Sequence, residues 1–127
     1  MKALLILVFV AVLTSCDKDD ITSKQELSFD VRNETELSYE NIKIYSGQDV
    51  ADKGFVFADS MSFSIESLSS KIINWKPKLL SQGGEGELLF KLTEEKEEYF
   101  GYYSGRNIAG NPDFIITINN SIDIRQK

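Results

Sequence analysis

Residues 26–33 read ELSFDVRN, and the apolar side chains in this stretch recur at every second position. The apolar members are Leu27, Phe29 and Val31, and polar or charged residues stand between them. A period of two is typical of a β-strand that buries one face in a core and exposes the other to water. The stretch therefore predicts a half-buried strand.

Similar short runs continue to the C-terminus. They are NIKIYS, GFVF, MSFSIESL, KIINW, ELLFKL, YFGYYSG and DFIITINNSIDI. Turn signals separate them: a break at Ser46-Gly47, a stop at Pro77, the glycines of residues 83–86 and a tight hairpin turn at Asn119-Asn120. Roughly eight or nine candidates predict an all-β fold, an antiparallel two-sheet sandwich of immunoglobulin-like or Greek-key type that follows a cleaved signal peptide.

The segment KLTEEKEEYF, residues 91–100, is the best competitor for a helix because glutamate favours helical structure. Its apolar residues stand only near its ends, so no apolar stripe runs along one helical face. We therefore predict a strand, a charged hairpin tip and a second strand.

Composition limits the chemistry of this chain. Its 127 residues correspond to one ordinary domain, and the net charge of −6 argues against a nucleic-acid partner. The sequence has no histidine and one cysteine, which excludes an intrachain disulfide and a Cys/His zinc site. No catalytic motif stands out, so we expect a protein that is not an enzyme and uses no metal or cofactor.

The N-terminus resembles that of a bacterial lipoprotein. Lys2 precedes an apolar run, residues 3–13, that is too short to span a bilayer and fits a signal peptide. Leu13-Thr14-Ser15-Cys16 resembles a lipobox, which implies cleavage before Cys16 and acylation of its thiol. The resemblance divides the chain into a signal peptide (1–15), the acylated cysteine with a polar tether (16–25) and the sandwich domain (26–127). The alternative is a secretory signal that ends near an unpaired buried cysteine.

The charges after Cys16 resemble the export signal of surface lipoproteins of Bacteroidota. Lys18, Asp19 and Asp20 match that pattern, which implies a lipid-anchored protein of the outer membrane, on the cell surface. Two alternatives stay open. The charges are only a tether, or Asp17 retains the protein at the inner membrane, facing the periplasm, as in enterobacterial lipoproteins.

The C-terminal third is similar to that of small lipoproteins of Bacteroidota with no established activity. The similarity rests on GYYSG at residues 101–105, on the two apolar runs that follow it and on the central FSIESLSSKIINW. The family brings no site residues.

Asp59-Ser60-Met61 also resembles an acceptor for O-glycosylation in Bacteroidota, which makes Ser60 a candidate modification site. Two N-glycosylation sequons, at Asn33 and Asn119, are interpreted as turns.

The aromatic content is densest in YFGYY, residues 99–103. A regular strand would place Phe100 and Tyr102 on one face and Tyr99 and Tyr103 on the other. Tyr99 and Tyr103 are therefore candidate binding aromatics for a glycan or a protein ligand. The alternative is that one pair is core and the other is a surface pair without function.

These observations predict a membrane-anchored surface lipoprotein that acts as a non-catalytic binding or accessory module. The alternative is a structural subunit of an envelope or surface assembly. An exposed edge strand or apolar patch would favour the assembly, whereas exposed aromatics beside a groove would favour ligand binding.

Overall fold

Strands make up the regular structure of residues 21–79 and 85–127, which are the residues that this computed structural model describes. They are β1 (Ile21–Thr22), β2 (Leu27–Asn33), β3 (Tyr39–Val50), β4 (Gly54–Ile65), β5 (Ser70–Trp75), β6 (Lys78–Leu79), β7 (Gly86–Lys91), β8 (Glu97–Ser104), β9 (Asn107–Ile108), β10 (Asp113–Ile118) and β11 (Ile122–Gln126). β1, β6 and β9 have two residues each. The prediction of an all-β fold is confirmed.

Two sheets form the sandwich. The four-stranded sheet has the order β11-β10-β2-β5, the five-stranded sheet has the order β4-β3-β7-β8-β9, and β1 pairs with β6. Neighbouring strands are antiparallel, except that β10 runs parallel to β2. Non-consecutive strands are neighbours in both sheets, as in Greek-key sandwiches, because the chain crosses from one sheet to the other several times.

The core lies between the two sheets and begins with the stretch that predicted it. Leu27, Phe29 and Val31 are fully buried, and alternate residues of β2 face outward. The Phe29 ring stacks on Phe114 with centroids 5.7 Å apart and meets the edge of Phe100 at 6.0 Å. Each fully buried side chain of this size contributes roughly 1.5–3 kcal/mol to stability, so these rings are a main source of stability.

The β3–β4 hairpin differs from the prediction of a break at Ser46-Gly47. β3 is a 12-residue strand that passes through both residues with a register shift between them, and the turn lies at residues 51–53. A Cβ at Gly47 would overlap the Val56 carbonyl oxygen and would lie 2.6 Å from the Phe55 ring. This glycine therefore permits a close approach inside a strand and does not end the strand.

Two predicted hairpin turns are confirmed. In the charged tip between β7 and β8, the Leu92 amide donates to the Lys96 carbonyl at 2.9 Å. Between β10 and β11, the Ser121 amide donates to Asn119 Oδ1 at 3.0 Å. Neither Asn119 nor its neighbour has a positive φ. The turn therefore depends on the asparagine side chain as a hydrogen-bond acceptor and not on a left-handed backbone.

The ordered domain includes residues that we predicted as tether. Ile21 pairs with Leu79, and the Ser23 amide donates to the Pro77 carbonyl at 2.8 Å. The predicted signal peptide, Cys16 and the predicted export residues Lys18, Asp19 and Asp20 lie outside the described residues. Among the described residues, no helix is long and apolar enough to cross a membrane.

Candidate functional site

Four aromatic rings gather on the face of the five-stranded sheet that points away from the core. They are Tyr45, Phe55, Phe57 and Tyr99, and we name them the outer aromatic cluster. Tyr45 and Phe57 stack with ring centroids 4.4 Å apart, and Phe55 meets both Phe57 and Tyr99 edge-on at 5.3 Å. The rings form a continuous chain from β3 through β4 to β8.

The strand register explains how these residues meet. Tyr45 follows the core residue Ile44 on β3, so it points to the opposite face. It is paired with Leu89 of β7, which is paired in turn with Tyr99 of β8. Phe55 and Phe57 are two residues apart on β4 and share one face.

Leu89 forms the floor of the outer aromatic cluster. Paired residues in adjacent strands share a face, so Leu89 points outward with Tyr45 and Tyr99. It is nevertheless only 4% exposed, and it does not belong to the main core between the sheets. The rings above it therefore build a small second apolar layer on the outside of the sandwich.

Gly47 fixes the position of the Phe55 ring. Two atoms of that ring lie 2.6 and 2.7 Å from the point where a Cβ of residue 47 would stand. Any larger residue would displace the ring, which would break its edge contacts with Phe57 and Tyr99. The sequence thus supplies a glycine at the one position where the ring must lie against the backbone.

The four rings of the cluster are all in contact with solvent. Phe57 is 54% exposed and Tyr99 is 48% exposed, and the other two rings are half-buried. Single exposed apolar residues are common in soluble proteins, whereas contiguous exposed groups of rings are uncommon, which makes the outer aromatic cluster a candidate binding surface.

Charged groups surround the cluster on both sides. Partial burial raises the pKa of the Tyr99 hydroxyl, and the carboxylates of Glu97, Glu87 and Asp49 raise it further. The hydroxyl is therefore a protonated donor at neutral pH. Towards Tyr45, the Lys91 ammonium pairs with Glu94 at 3.1 Å, and that hydrogen bond raises the pKa of Lys91.

A groove of about 420 Å³ lies beside the Tyr45 end of the cluster. It is lined by Tyr45 and Leu92 and by the polar or charged residues Glu40, Asn41, Lys43, Lys91, Thr93 and Glu94. These side chains present carboxylates, ammonium groups, an amide and a hydroxyl around one aromatic ring. Exposed aromatics beside a groove are the arrangement that favours ligand binding over assembly.

The prediction that Tyr99 and Tyr103 lie on the same face of the strand is wrong. Leu88 is paired with Phe100, and Gly86 is paired with Tyr103, so β8 contains one extra residue at its register shift. Gly101 has φ +68°. This bulge reverses the alternation, so Tyr103 is fully buried in the core while Tyr99 stays on the surface.

Burial has a chemical consequence for Tyr103. Its hydroxyl has no hydrogen-bond partner at normal geometry among the described residues. Burial raises the pKa of Tyr103 to about 12, and the neighbouring Ser23 hydroxyl lowers it by a smaller amount. Tyr103 is therefore a core residue that carries a polar group, and it is not available to a ligand.

Ser60 lies close to the cluster. It is exposed on β4, directly opposite Tyr45 in the register, and its amide donates to Asp59 Oδ1 at 2.9 Å. The serine is accessible, and its modification stays a prediction.

Sequence reasoning missed Tyr45, Phe55 and Phe57. The alternation placed both phenylalanines on one face, but it did not indicate that this face lies outside the core.

Metal binding and similarity to known proteins add no further assignment. Within residues 21–79 and 85–127, no group of three or more His, Cys, Asp or Glu residues is placed to hold a metal ion. No protein-family model matches the chain, and no match was found among the curated proteins or the solved structures.

Proposed function

We propose that this protein is a membrane-anchored surface lipoprotein that acts as a non-catalytic carbohydrate-binding module, with the outer aromatic cluster as its binding surface. One observation carries the proposal: Tyr45, Phe55, Phe57 and Tyr99 form a connected, exposed group of rings on a face that the core does not use. None of the four rings belongs to the core between the sheets. A ligand that covers them would remove apolar area from water.

The chemistry around the rings favours a carbohydrate. A pyranose ring has an apolar face and a polar edge of hydroxyl groups. Its apolar face stacks on an aromatic ring while its hydroxyls bind polar groups nearby. The groove beside Tyr45 offers carboxylate acceptors from Glu40 and Glu94 and ammonium donors from Lys43 and Lys91. Its volume of about 420 Å³ is within the usual range of roughly 300–1,000 Å³ for small-molecule sites. The protonated Tyr99 hydroxyl adds a donor at the other end.

The alternative function, a structural subunit of an assembly, would use the free edge of β4. This strand is 12 residues long and ends the five-stranded sheet. The edge is partly blocked, because Lys71 Nζ donates to the Ser64 carbonyl at 3.2 Å and the Asp59 carboxylate accepts from the Lys78 amide at 2.9 Å. Lysines at an edge discourage pairing with another strand. We therefore favour ligand binding.

The membrane anchor in this proposal is the acylated Cys16. Two or three acyl chains hold a protein stably, since each buried methylene contributes about 0.8 kcal/mol. The first described strand begins at Ile21. The chain from Cys16 to Ile21 spans at most about 18 Å at 3.3–3.6 Å per residue, which keeps the sandwich close to the bilayer.

Affinity electrophoresis of the full chain in detergent tests the binding function. The gels contain one soluble polysaccharide each, from a panel of β-glucans, α-mannan and arabinoxylan. We expect retardation in at least one gel, and we expect the variants Phe57→Ala and Tyr99→Ala to lose it. Tyr102→Ala is the matched control, because Tyr102 is 50% exposed and belongs to the same strand as Tyr99 but not to the outer aromatic cluster.

Two results would contradict the proposal. One is migration that no polysaccharide of the panel changes. The other is retardation that Tyr102→Ala abolishes and Tyr99→Ala leaves intact, because the ligand would then bind elsewhere on the sandwich. Circular dichroism spectra of the three variants show whether each one keeps the β-fold.

A further inference from the structure

Two leucines at one end of the sandwich are largely exposed to solvent. Leu37 is 64% exposed and Leu68 is 68% exposed. They belong to two loops, residues 34–38 and 66–69, which we name together the leucine tip. The loops are joined, since the Leu68 amide donates to the Thr35 carbonyl at 2.9 Å and the Ser67 amide donates to Ser38 Oγ at 3.1 Å.

A buried asparagine holds the leucine tip in shape. Asn33 is 2% exposed, and its Nδ2 donates to the Leu37 carbonyl at 2.7 Å and to the Glu66 carbonyl at 3.0 Å. Its Oδ1 accepts from the Thr35 amide at 3.1 Å. One side chain thus ties both loops to the end of β2, so the two leucines are presented on a fixed framework.

Folding stability does not explain the leucine at position 68. Leu68 has φ 52°, a left-handed backbone conformation that glycine or asparagine adopts far more easily than a branched residue. The side chain gains little packing in return, because 68% of it is exposed. A strained backbone that holds an apolar side chain in water is a feature found at binding sites.

The charges around the two leucines indicate what kind of partner fits. The loops contain Glu34, Glu36 and Glu66 and no lysine or arginine, and all three glutamates are exposed. Arg32 lines a groove beside Leu68, but its guanidinium is paired with Asp30 at 2.9 Å. A second copy of this tip or an anionic bilayer would be repelled by the glutamates, whereas lysine or arginine would be attracted.

We propose that the leucine tip is a docking surface for a protein segment that combines apolar side chains with lysine or arginine. The surface is separate from the outer aromatic cluster, and the inference does not rest on carbohydrate binding. β2 begins near β1 and ends at Asn33, about 20 Å away at 3.3 Å per residue, so the tip lies at the opposite end from β1. A chain anchored ahead of β1 would present this surface away from the membrane.

Nuclear magnetic resonance titration of the ¹⁵N-labelled full chain in detergent tests the docking surface. The probe is a synthetic peptide of alternating leucine and lysine, and the control peptide has serine in place of leucine with the same charge. We expect the first peptide to shift the amides of the leucine tip saturably, with at least about tenfold tighter binding than the control peptide. Residues 93–96 are an internal control, because this turn is acidic but has no exposed leucine.

Two variants separate docking from folding. Leu37→Ser should weaken binding of the leucine-lysine peptide about tenfold or more. Leu68→Gly should weaken it similarly and raise the melting temperature, because glycine removes the strain at φ 52°. The proposal would be overturned by equal binding of the two peptides, by shifts centred on residues 93–96, or by a Leu68→Gly variant that melts lower and binds as wild type.

Discussion

Replacing Tyr103 by phenylalanine is expected to stabilise the protein. The Tyr103 hydroxyl is buried in the core without a hydrogen-bond partner among the described residues. An unsatisfied buried polar group costs about 1–3 kcal/mol, and removing it leaves the ring and its packing in place. The neighbouring Ser23 offsets part of this cost. We therefore expect the free energy of unfolding of Tyr103→Phe to rise by about 1 kcal/mol at neutral pH, at the lower end of that range.

The same hydroxyl predicts how stability depends on pH. Burial raises the pKa of Tyr103 from 10.0 to about 12, so the folded state holds this proton at pH values where the unfolded state has lost it. The titration of this hydroxyl therefore leaves stability unchanged below pH 10 and lowers it as the pH rises from 10 to about 12. Each pH unit within this interval costs about 1.4 kcal/mol.

Urea denaturation of the full chain at pH 7, 10, 11 and 12 measures both effects. Wild type should lose stability more steeply than Tyr103→Phe above pH 10, and Tyr103→Ala should be about 3–5 kcal/mol less stable than Tyr103→Phe at every pH because it empties part of the core. A Tyr103→Phe variant that is less stable than wild type at pH 7 would contradict this prediction, since the hydroxyl would then make a stabilising hydrogen bond. Parallel pH curves for these two proteins would also refute it.

Four further variants test other parts of the protein. Gly47→Ala should cost about 1–3 kcal/mol of stability, measured by urea denaturation. It should also change the tyrosine fluorescence, because the displaced Phe55 ring alters the surroundings of Tyr99. Asn33→Ala should cost about 2–4 kcal/mol, since it removes the side chain that bonds both loops of the leucine tip, and a change below 0.5 kcal/mol would contradict the role that we assign to it. Cys16→Ala should abolish incorporation of labelled fatty acid. Changing Lys18, Asp19 and Asp20 together to alanine should preserve acylation but should make the protein inaccessible to protease added to intact cells. If the triple variant stays accessible, the charges are only a tether.

Much of the fold could be predicted from local patterns. The alternation of Leu27, Phe29 and Val31 identified a strand and its buried face. Alternate side chains of a strand point to opposite faces, so apolar residues at every second position must share the face that meets the core. The hairpin at TEEKEE followed from the absence of an apolar helical stripe. The break expected at Ser46-Gly47 failed because glycine has two uses in β-structure, as a turn residue and as a site of close approach. The sequence does not distinguish them.

The binding surface was harder to predict for a physical reason. Tyr99 was recognised, but the other members of the outer aromatic cluster, Tyr45, Phe55 and Phe57, come from other strands, and only the register brings the four rings together. The bulge at Gly101 also reversed the face of Tyr103 relative to a regular strand. A shift of one residue moves a side chain from one face of a sheet to the other, and no local sequence signal fixes that shift.

The methyl groups of Leu89 in the full chain report directly on whether a carbohydrate binds the outer aromatic cluster. Leu89 is buried under the outer aromatic cluster, where the rings of Tyr45 and Tyr99 flank it, so its methyl resonances are sensitive to any movement of those rings. Methyl spectra are recorded while an oligosaccharide of the retarding polysaccharide is added, with the methyl groups of the exposed Leu37 as reference. We predict a saturable shift of Leu89 with the same dissociation constant as calorimetry gives, and no shift of Leu37. Binding detected by calorimetry without any shift of Leu89 would contradict the claim that the outer aromatic cluster is the carbohydrate site.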